Sequence, residues 1–262
     1  MLQLAASLRG MGTISVLILV PSALALMIWT LPKLRERLGL VMSKEASDGA
    51  FETMTAIAGF TAFALAISFV EVQGYLRHAD DLVTKEASKV NTLDRTLVRS
   101  GAPAAIALRP MLKTYIVTVI DKEWPALHTG KGSPEVEQLS SRIAATARAI
   151  AAEGPHGEEL YSKVMSALDD LNDIRDARIS LSREHLTTIY WNMVGGLVVL
   201  MLVTGTFASA SLDKRLSLAG RMFAVGLMVA MVVLTEGVFE GDISVDTRAF
   251  TDALAAITAR AS

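Results

Sequence analysis

The chain predicts an all-α membrane protein with four transmembrane helices and a helical soluble domain inserted between the second and third spans. Three observations carry this. Four apolar runs reach the roughly 17–25 residues that cross a hydrocarbon core of about 30 Å. The stretch between the second and third runs instead repeats apolar residues every three or four positions among charges, the pattern of helices with one buried face. Composition agrees: 52% hydrophobic and a mean hydropathy of +0.42 coexist with 20% charged residues, while aromatics are only 6%. Ala-rich, aromatic-poor chains suit close helix packing better than sheets.

The first span is expected over residues 12–31, with Pro21 inside it. Arg9, the apolar Ile14–Val20 and Ala23-Leu24-Ala25 together imitate a cleaved signal peptide. The apolar run continues through Met27, Ile28 and Trp29 to Pro32-Lys33, so a retained span is the better reading. The second span, residues 54–73, starts after Ser47-Asp48-Gly49, which are helix-start candidates. Its apolar register does not end with the span. Ala79, Leu82, Val83, Ala87, Val90, Leu93 and Leu97 continue it, so one long helix is expected from lipid into a water-soluble bundle.

Residues 77–188 hold no apolar run that reads as a span and are expected to form the soluble domain. The long-helix extension ends at Gly101-Ala102-Pro103. A second helix, about Ala104–Trp124, is followed by Pro125. Ser133 with Pro134 opens a third helix as N-cap and first residue. A fourth, about Glu158–Thr188, runs without an intervening Pro into the third span, residues 189–210, so a second continuous helix is expected. Tyr190 and Trp191 suit a lipid–water interface. A loop over Ser211–Gly220 precedes the last span, residues 221–239, and residues 242–262 form an amphipathic tail. Gly195, Gly196, Gly205, Gly226 and Ala230 are expected at span–span contacts.

The same sequence excludes several functions. A net charge of −2 provides no general attraction to nucleic acid. Without Cys there is no disulfide framework, thiolate metal site or Cys nucleophile. The four His are scattered outside any metal-ligand spacing, and no nucleotide-binding or nucleophile-elbow motif occurs. No cofactor, no metal site, no catalytic residue and no enzymatic activity are expected.

Residues along nearly the whole chain form a further pattern. These are Glu86-Ala87, Tyr115, Glu123-Trp124-Pro125, Tyr161, Leu171-Asn172 with Arg175 and Arg178, and Glu236-Gly237-Val238-Phe239-Glu240-Gly241 followed by Val245 and Phe250. In this the chain resembles the bestrophin-like domain of unknown function, a family of bacterial membrane proteins. Glu236 and Val238 stand where that family usually has an Asp and a Pro. The resemblance implies distant similarity to bestrophins, pentameric anion channels with four spans and a helical cytoplasmic part. That step is an analogy of fold.

Candidate residues follow, each with two readings. Phe60, Phe63 and Ile67 lie at helical spacing on the second span. They either form a hydrophobic neck, as the second span does in bestrophins, or pack against lipid and neighbouring helices. Glu71 either lines a water path or marks the headgroup level. Arg175 and Arg178 either bind an anion or cross-link to bundle acids such as Glu86, and structural pairing is the favoured reading. Asp169, Asp173 and Asp176 are a cation site or, more simply, a solvated face. Glu123-Trp124-Pro125 reads as a helix end. Glu236, Glu240 and Asp242 are either a cation-attracting rim or interface carboxylates.

Orientation is read two ways. Lys33, Arg35, Arg37 and Lys44 on one short loop, and Lys214, Arg215 and Arg221 around the other, favour cytoplasmic short loops. Cations flanking the spans on the domain side, and the resemblance, favour a cytoplasmic domain, and that side is preferred. The expectation is a multi-pass protein of the inner membrane, in contact with the lipid bilayer and with further copies of itself. The functional reading is a homo-oligomeric channel lined by span two, with inorganic anions as the candidate permeant species. A non-conducting scaffold or sensor whose domain binds a partner is the alternative.

Overall fold

The computed structural model describes residues 12–40, 42–208 and 211–260. Among them the secondary structure is helical, without a strand. The chain divides into two compact units, one from the stretch up to Gly74 with His185–Ser244, the other from Tyr75–Glu184 with the stretch from Val245.

The first unit begins with α1, Thr13–Arg37. Its cap arrives from far along the chain: Asp242 accepts from the Thr13 amide (3.3 Å) and hydroxyl (2.8 Å), placing an anion at the positive helix end. Asp242 is therefore a helix cap, a role that neither sequence reading gave it. The helix passes through Pro21 and Pro32 and closes on Arg35 and Arg37, cations suited to its negative end. Arg9 lies outside the described residues.

Next comes α2, a single helix over Lys44–Ser100. At 1.5 Å per residue it is about 85 Å long. Ser43 begins it, its hydroxyl accepting from the Ala46 amide at 3.2 Å, so the start precedes the expected Ser47-Asp48-Gly49. Gly101 ends it with φ +65°, a left-handed conformation open to glycine. The expected long helix is present.

Its first part packs in unit one with α7 (Thr188–Thr206) and α8 (Leu212–Glu236). Ile28, Met54, Leu65, Trp191, Met201 and Met222 form the core there. Small residues set the closest approaches: a Cβ at Gly226 would lie 2.6 Å from Pro21 Cα, and one at Gly205 would lie 2.4 Å from Ile28 Cδ1. Gly196 meets no such neighbour. Outward-facing side chains such as Ile18, Leu26, Val199, Val203 and Leu216 are large, apolar and exposed. A surface of this kind belongs in lipid.

Three expectations need correction. The fourth soluble helix and third span are not continuous: α6 (Gly157–Leu181) ends at Leu181, and α7 begins at Thr188. Local capping outcompetes propagation, because the Thr187 hydroxyl accepts from the Tyr190 amide and the Leu186 amide is taken by Glu236 Oε1. The expected Ser211–Gly220 loop is helix from Leu212, since Arg215 and Arg221 settle on aromatic faces inside unit one. Arg215 lies 4.0 Å from the Trp29 ring centroid and donates to the Trp29 carbonyl; Arg221 lies 4.7 Å from the Phe51 ring. Trp191, expected at an interface, is 2% exposed. Its Nε1 donates to Glu236 Oε1 at 3.2 Å.

The second unit holds the remainder of α2 with α3 (Pro103–Thr118), a π-helical turn (Val119–Glu123), α4 (Trp124–Leu127), α5 (Pro134–Ala151), α6 and α9 (Arg248–Ala259). Ser133 caps α5 and Pro134 is its first residue, as expected. Five described helices meet the length and hydropathy needed to cross a membrane, the fifth being Pro103–Leu127. No apolar run of that length was expected between the second and third spans. That helix is the least apolar of the five, and its buried face carries Glu123 and Tyr115 within unit two. It belongs to the second unit.

Candidate functional site: a buried ion-pair network

The second unit buries five charged side chains on the apolar registers of its helices. Along α2, the series Ala79, Val83, Val90, Leu97 includes Glu86 and Asp94. Along α3 and the π turn, Leu108, Leu112, Ile116 and Val119 lead to Glu123. On α6, Leu168 and Leu171 are followed by Arg175 and Arg178. Glu86, Asp94, Glu123 and Arg178 have no measurable exposure, and Arg175 has 3%. Charges at such positions must be paired to persist.

Arg178 is the centre. Its Nε donates to Glu86 Oε2 (2.7 Å), and its Nη2 to Glu86 Oε1 (3.1 Å) and Glu123 Oε1 (2.6 Å). Arg175 reaches Glu123 Oε2 through Nη2 at 2.6 Å, and Glu137 through Nη1 at 2.6 Å. The Tyr115 hydroxyl donates to Glu86 Oε1 at 2.9 Å. The Ser133 amide donates to Glu123 Oε2 at 3.0 Å. The Arg178 guanidinium also lies 5.8 Å from the Phe250 ring and 5.9 Å from that of Trp124, which meet edge to face. Helices α2, α5, α6 and α9 and the π turn are thus joined through one arginine pair.

Local sequence explains the placement. Pro125 supplies no amide to the ladder, and the π turn immediately before it ends at Glu123. Such turns rotate the residues they carry relative to the α-helical register. Gly132 lets the loop cross the pair closely: a Cβ there would lie 2.7 Å from Ile179 Cδ1 and 3.1 Å from Arg175 Nη2.

Electrostatics follows geometry. Burial pushes the Glu123 carboxyl up, but Arg175 and Arg178 outweigh it and hold it below the usual carboxylate range. Burial alone lowers the two guanidinium groups; their carboxylate partners outweigh it and raise them. Burial, reinforced by Glu86, pushes the Tyr115 phenol well above its ordinary value. The network therefore keeps the Glu123 carboxylate and the two guanidinium groups charged at neutral pH.

Of the sequence-selected residues, Glu86, Tyr115, Arg175 and Arg178 meet here, with Trp124 beside them. The arginine-to-Glu86 cross-link is the arrangement found. Asn172 joins Ser140 instead, at 2.7 Å. Glu236, Phe239 and Gly241 belong to the other unit. There Glu236 is buried against Leu186 and Trp191, Phe239 is 4% exposed, and Gly241 turns the chain with φ +80°. Phe60, Phe63, Ile67 and Glu71 share one exposed stripe of α2, while Met54, Ala58, Thr61, Leu65 and Ser68 face inward.

Sequence reading took Glu123 for a helix end and missed it as the second hub. The available signal was an acid continuing an apolar register. The same signal marks Asp94, which accepts from Arg109 Nε (2.7 Å) and Arg260 Nε (2.9 Å) and so fastens α9 to α2 and α3.

Comparison with known proteins agrees with this architecture. Two crystal structures, one of a membrane protein and one of a bacterial bestrophin homologue from Klebsiella pneumoniae that carries a mutation, are each similar at a TM-score of 0.58. Each is 11% identical, over 94% of this chain and 97% of the other. At that identity the likeness is one of fold. No curated protein matches the chain in sequence. The family model described as Bestrophin-like domain matches residues 41–250. The chain belongs to the Bestrophin-like domain family.

Proposed function

We propose that this membrane protein is a homo-oligomeric ion channel, with inorganic anions the expected permeant species and the second span lining the path. The observation that carries the reading is the stripe on α2. Phe60, Phe63 and Ile67 are 58%, 65% and 54% exposed on one face, in line with Glu71, while the opposite face is buried. Repeated around an axis by further copies, such a stripe forms a hydrophobic constriction followed by an acidic ring. Narrow apolar rings gate conduction by dewetting. The soluble domain lies in the cytoplasm in this reading, and the bilayer is the inner membrane. Its buried ion network makes the domain a firm anchor for the end of α2.

The second reading is a non-conducting scaffold or sensor whose helical domain binds a partner. It is supported by the exposed acidic face of α6, where Asp169, Asp173 and Asp176 point outward. Purified protein in liposomes separates the two. Anion flux altered by Phe63→Ala supports the channel, and an assembly larger than one chain in detergent accompanies it. Absence of flux from both proteins, with a monomeric mass, refutes it.

A further inference from the structure

We infer that the first unit holds the acyl chain of an ester-linked glycerolipid in a groove between α1 and α7. A cavity of about 620 Å³ opens there. Leu19 and Ala23 of α1, Asn192, Gly195 and Val199 of α7, and Val229 of α8 are on its walls. Ala23 and Gly195 bring almost no side chain to it, so the space stays unfilled. The packing of α1 explains why a groove forms at this height. A Cβ at Gly226 would lie 2.6 Å from Pro21 Cα, which draws α1 onto α8, and one at Gly205 would lie 2.4 Å from Ile28 Cδ1, which draws it onto α7. The groove residues of α1 and α7 all precede that second contact along their helices.

The groove has the length of one leaflet. Its polar end is marked by Thr187, which caps α7, by Glu236 on the Leu186 amide, and by Asp242 on Thr13. At 1.5 Å per residue, Asn192 lies about 6 Å and Val199 about 17 Å beyond Thr188. Half of a hydrocarbon core of about 30 Å is about 15 Å. A helix from a second copy would lie along a whole span, whereas this groove occupies only the first half of one. The outward faces of the same helices carry exposed Ile18 and Val203, so acyl chains are the surrounding medium. A volume of this size accommodates one small-molecule ligand.

Asn192 supplies the specificity. It is exposed on the groove wall, and its amide makes no hydrogen bond to another described residue. A carboxamide left facing hydrocarbon without a partner is unfavourable, and its NH2 group offers two donors. At its depth the acceptors a bilayer supplies are the ester carbonyls that join acyl chains to glycerol. One chain then follows the groove from Asn192 past Gly195 to Val199. The site requires only that the unit lies in a bilayer, so it stands whether or not the protein conducts.

The test uses the full chain in detergent and native mass spectrometry of retained lipid. Diacyl phosphatidylglycerol is compared with its dialkyl ether analogue, which has the same headgroup and chains but no carbonyl. The variants are Asn192→Leu, which removes the donor, and Gly195→Leu and Ala23→Leu, which fill the groove from separate helices. Val203→Leu, outward on α7 and off the groove wall, is the control, and a thermal scan checks that each variant folds. Wild type and Val203→Leu should retain the diacyl lipid about two- to tenfold better than the ether, the worth of one neutral hydrogen bond. Asn192→Leu should lose that preference, and the filled variants should retain neither lipid. Equal retention of the two lipids by wild type overturns the assignment, as does a preference that survives in Asn192→Leu or retention by a folded groove-filled variant. A groove that serves a second copy instead would show no retained lipid in wild type and an assembly that falls apart in Gly195→Leu, and that outcome overturns it too.

Discussion

Replacing Arg178 by Met keeps most of the side-chain volume and removes the charge at the centre of the buried network. Three hydrogen bonds disappear, at 2.6, 2.7 and 3.1 Å. Bonds to charged groups contribute about 1.5–3 kcal/mol each, and desolvation of the guanidinium offsets part of the sum. The larger effect is what remains: Glu86 keeps only the Tyr115 hydroxyl, and Glu123 keeps Arg175. Removing one partner of a buried pair typically costs about 3–5 kcal/mol, and that is the expected loss for Arg178→Met. The assay is denaturant unfolding of the full chain in detergent, followed by Trp fluorescence, since Trp124 lies beside the arginine. Glu86→Gln combined with Arg178→Met should recover about 1–3 kcal/mol relative to the sum of the single changes, because the stranded carboxylate is then neutral. A single-variant loss below about 1 kcal/mol, comparable with an exposed pair, refutes the reasoning. Strict additivity refutes it as well.

Two further predictions concern stability. The folded Glu123 carboxyl titrates below its ordinary value of 4.5, so its contribution is complete above that value and is lost as pH falls through the lower folded one. Unfolding midpoints should therefore decline as pH falls below 4.5, and Glu123→Gln should flatten part of that decline; an unchanged slope counts against the linkage. Gly226→Leu forces a side chain where even a Cβ lies 2.6 Å from Pro21 Cα. Overpacking at a backbone contact should cost at least about 1–3 kcal/mol, whereas Gly196→Leu, which meets nothing within 4 Å, should be tolerated in a parallel thermal scan.

Much of the architecture was legible in the residue order because it depends on local periodicity. The apolar register of α2 runs unbroken from Met54 to Leu97, and no Pro interrupts it, so one helix follows from the 3.6-residue repeat alone. Ser133-Pro134 announces α5 by the same local chemistry. The helix that was expected across Glu158–Ala210 breaks because Glu236, fifty positions away from Leu186, takes its amide. Nothing near residue 186 in the sequence shows that acceptor.

The site divides along the same line. The chain order by itself determined an all-α membrane protein, the candidate residues, and the arginine pair on one helix, since each depends on spacing within a segment. Only the tertiary structure decided which acids meet those arginines, that Trp191 is buried, that Asp242 caps α1, and that Lys214 and Arg215 begin a helix and not a loop. Helical periodicity says which face of a segment is buried. It does not say what lies opposite, and a buried charge takes its meaning from the group across from it.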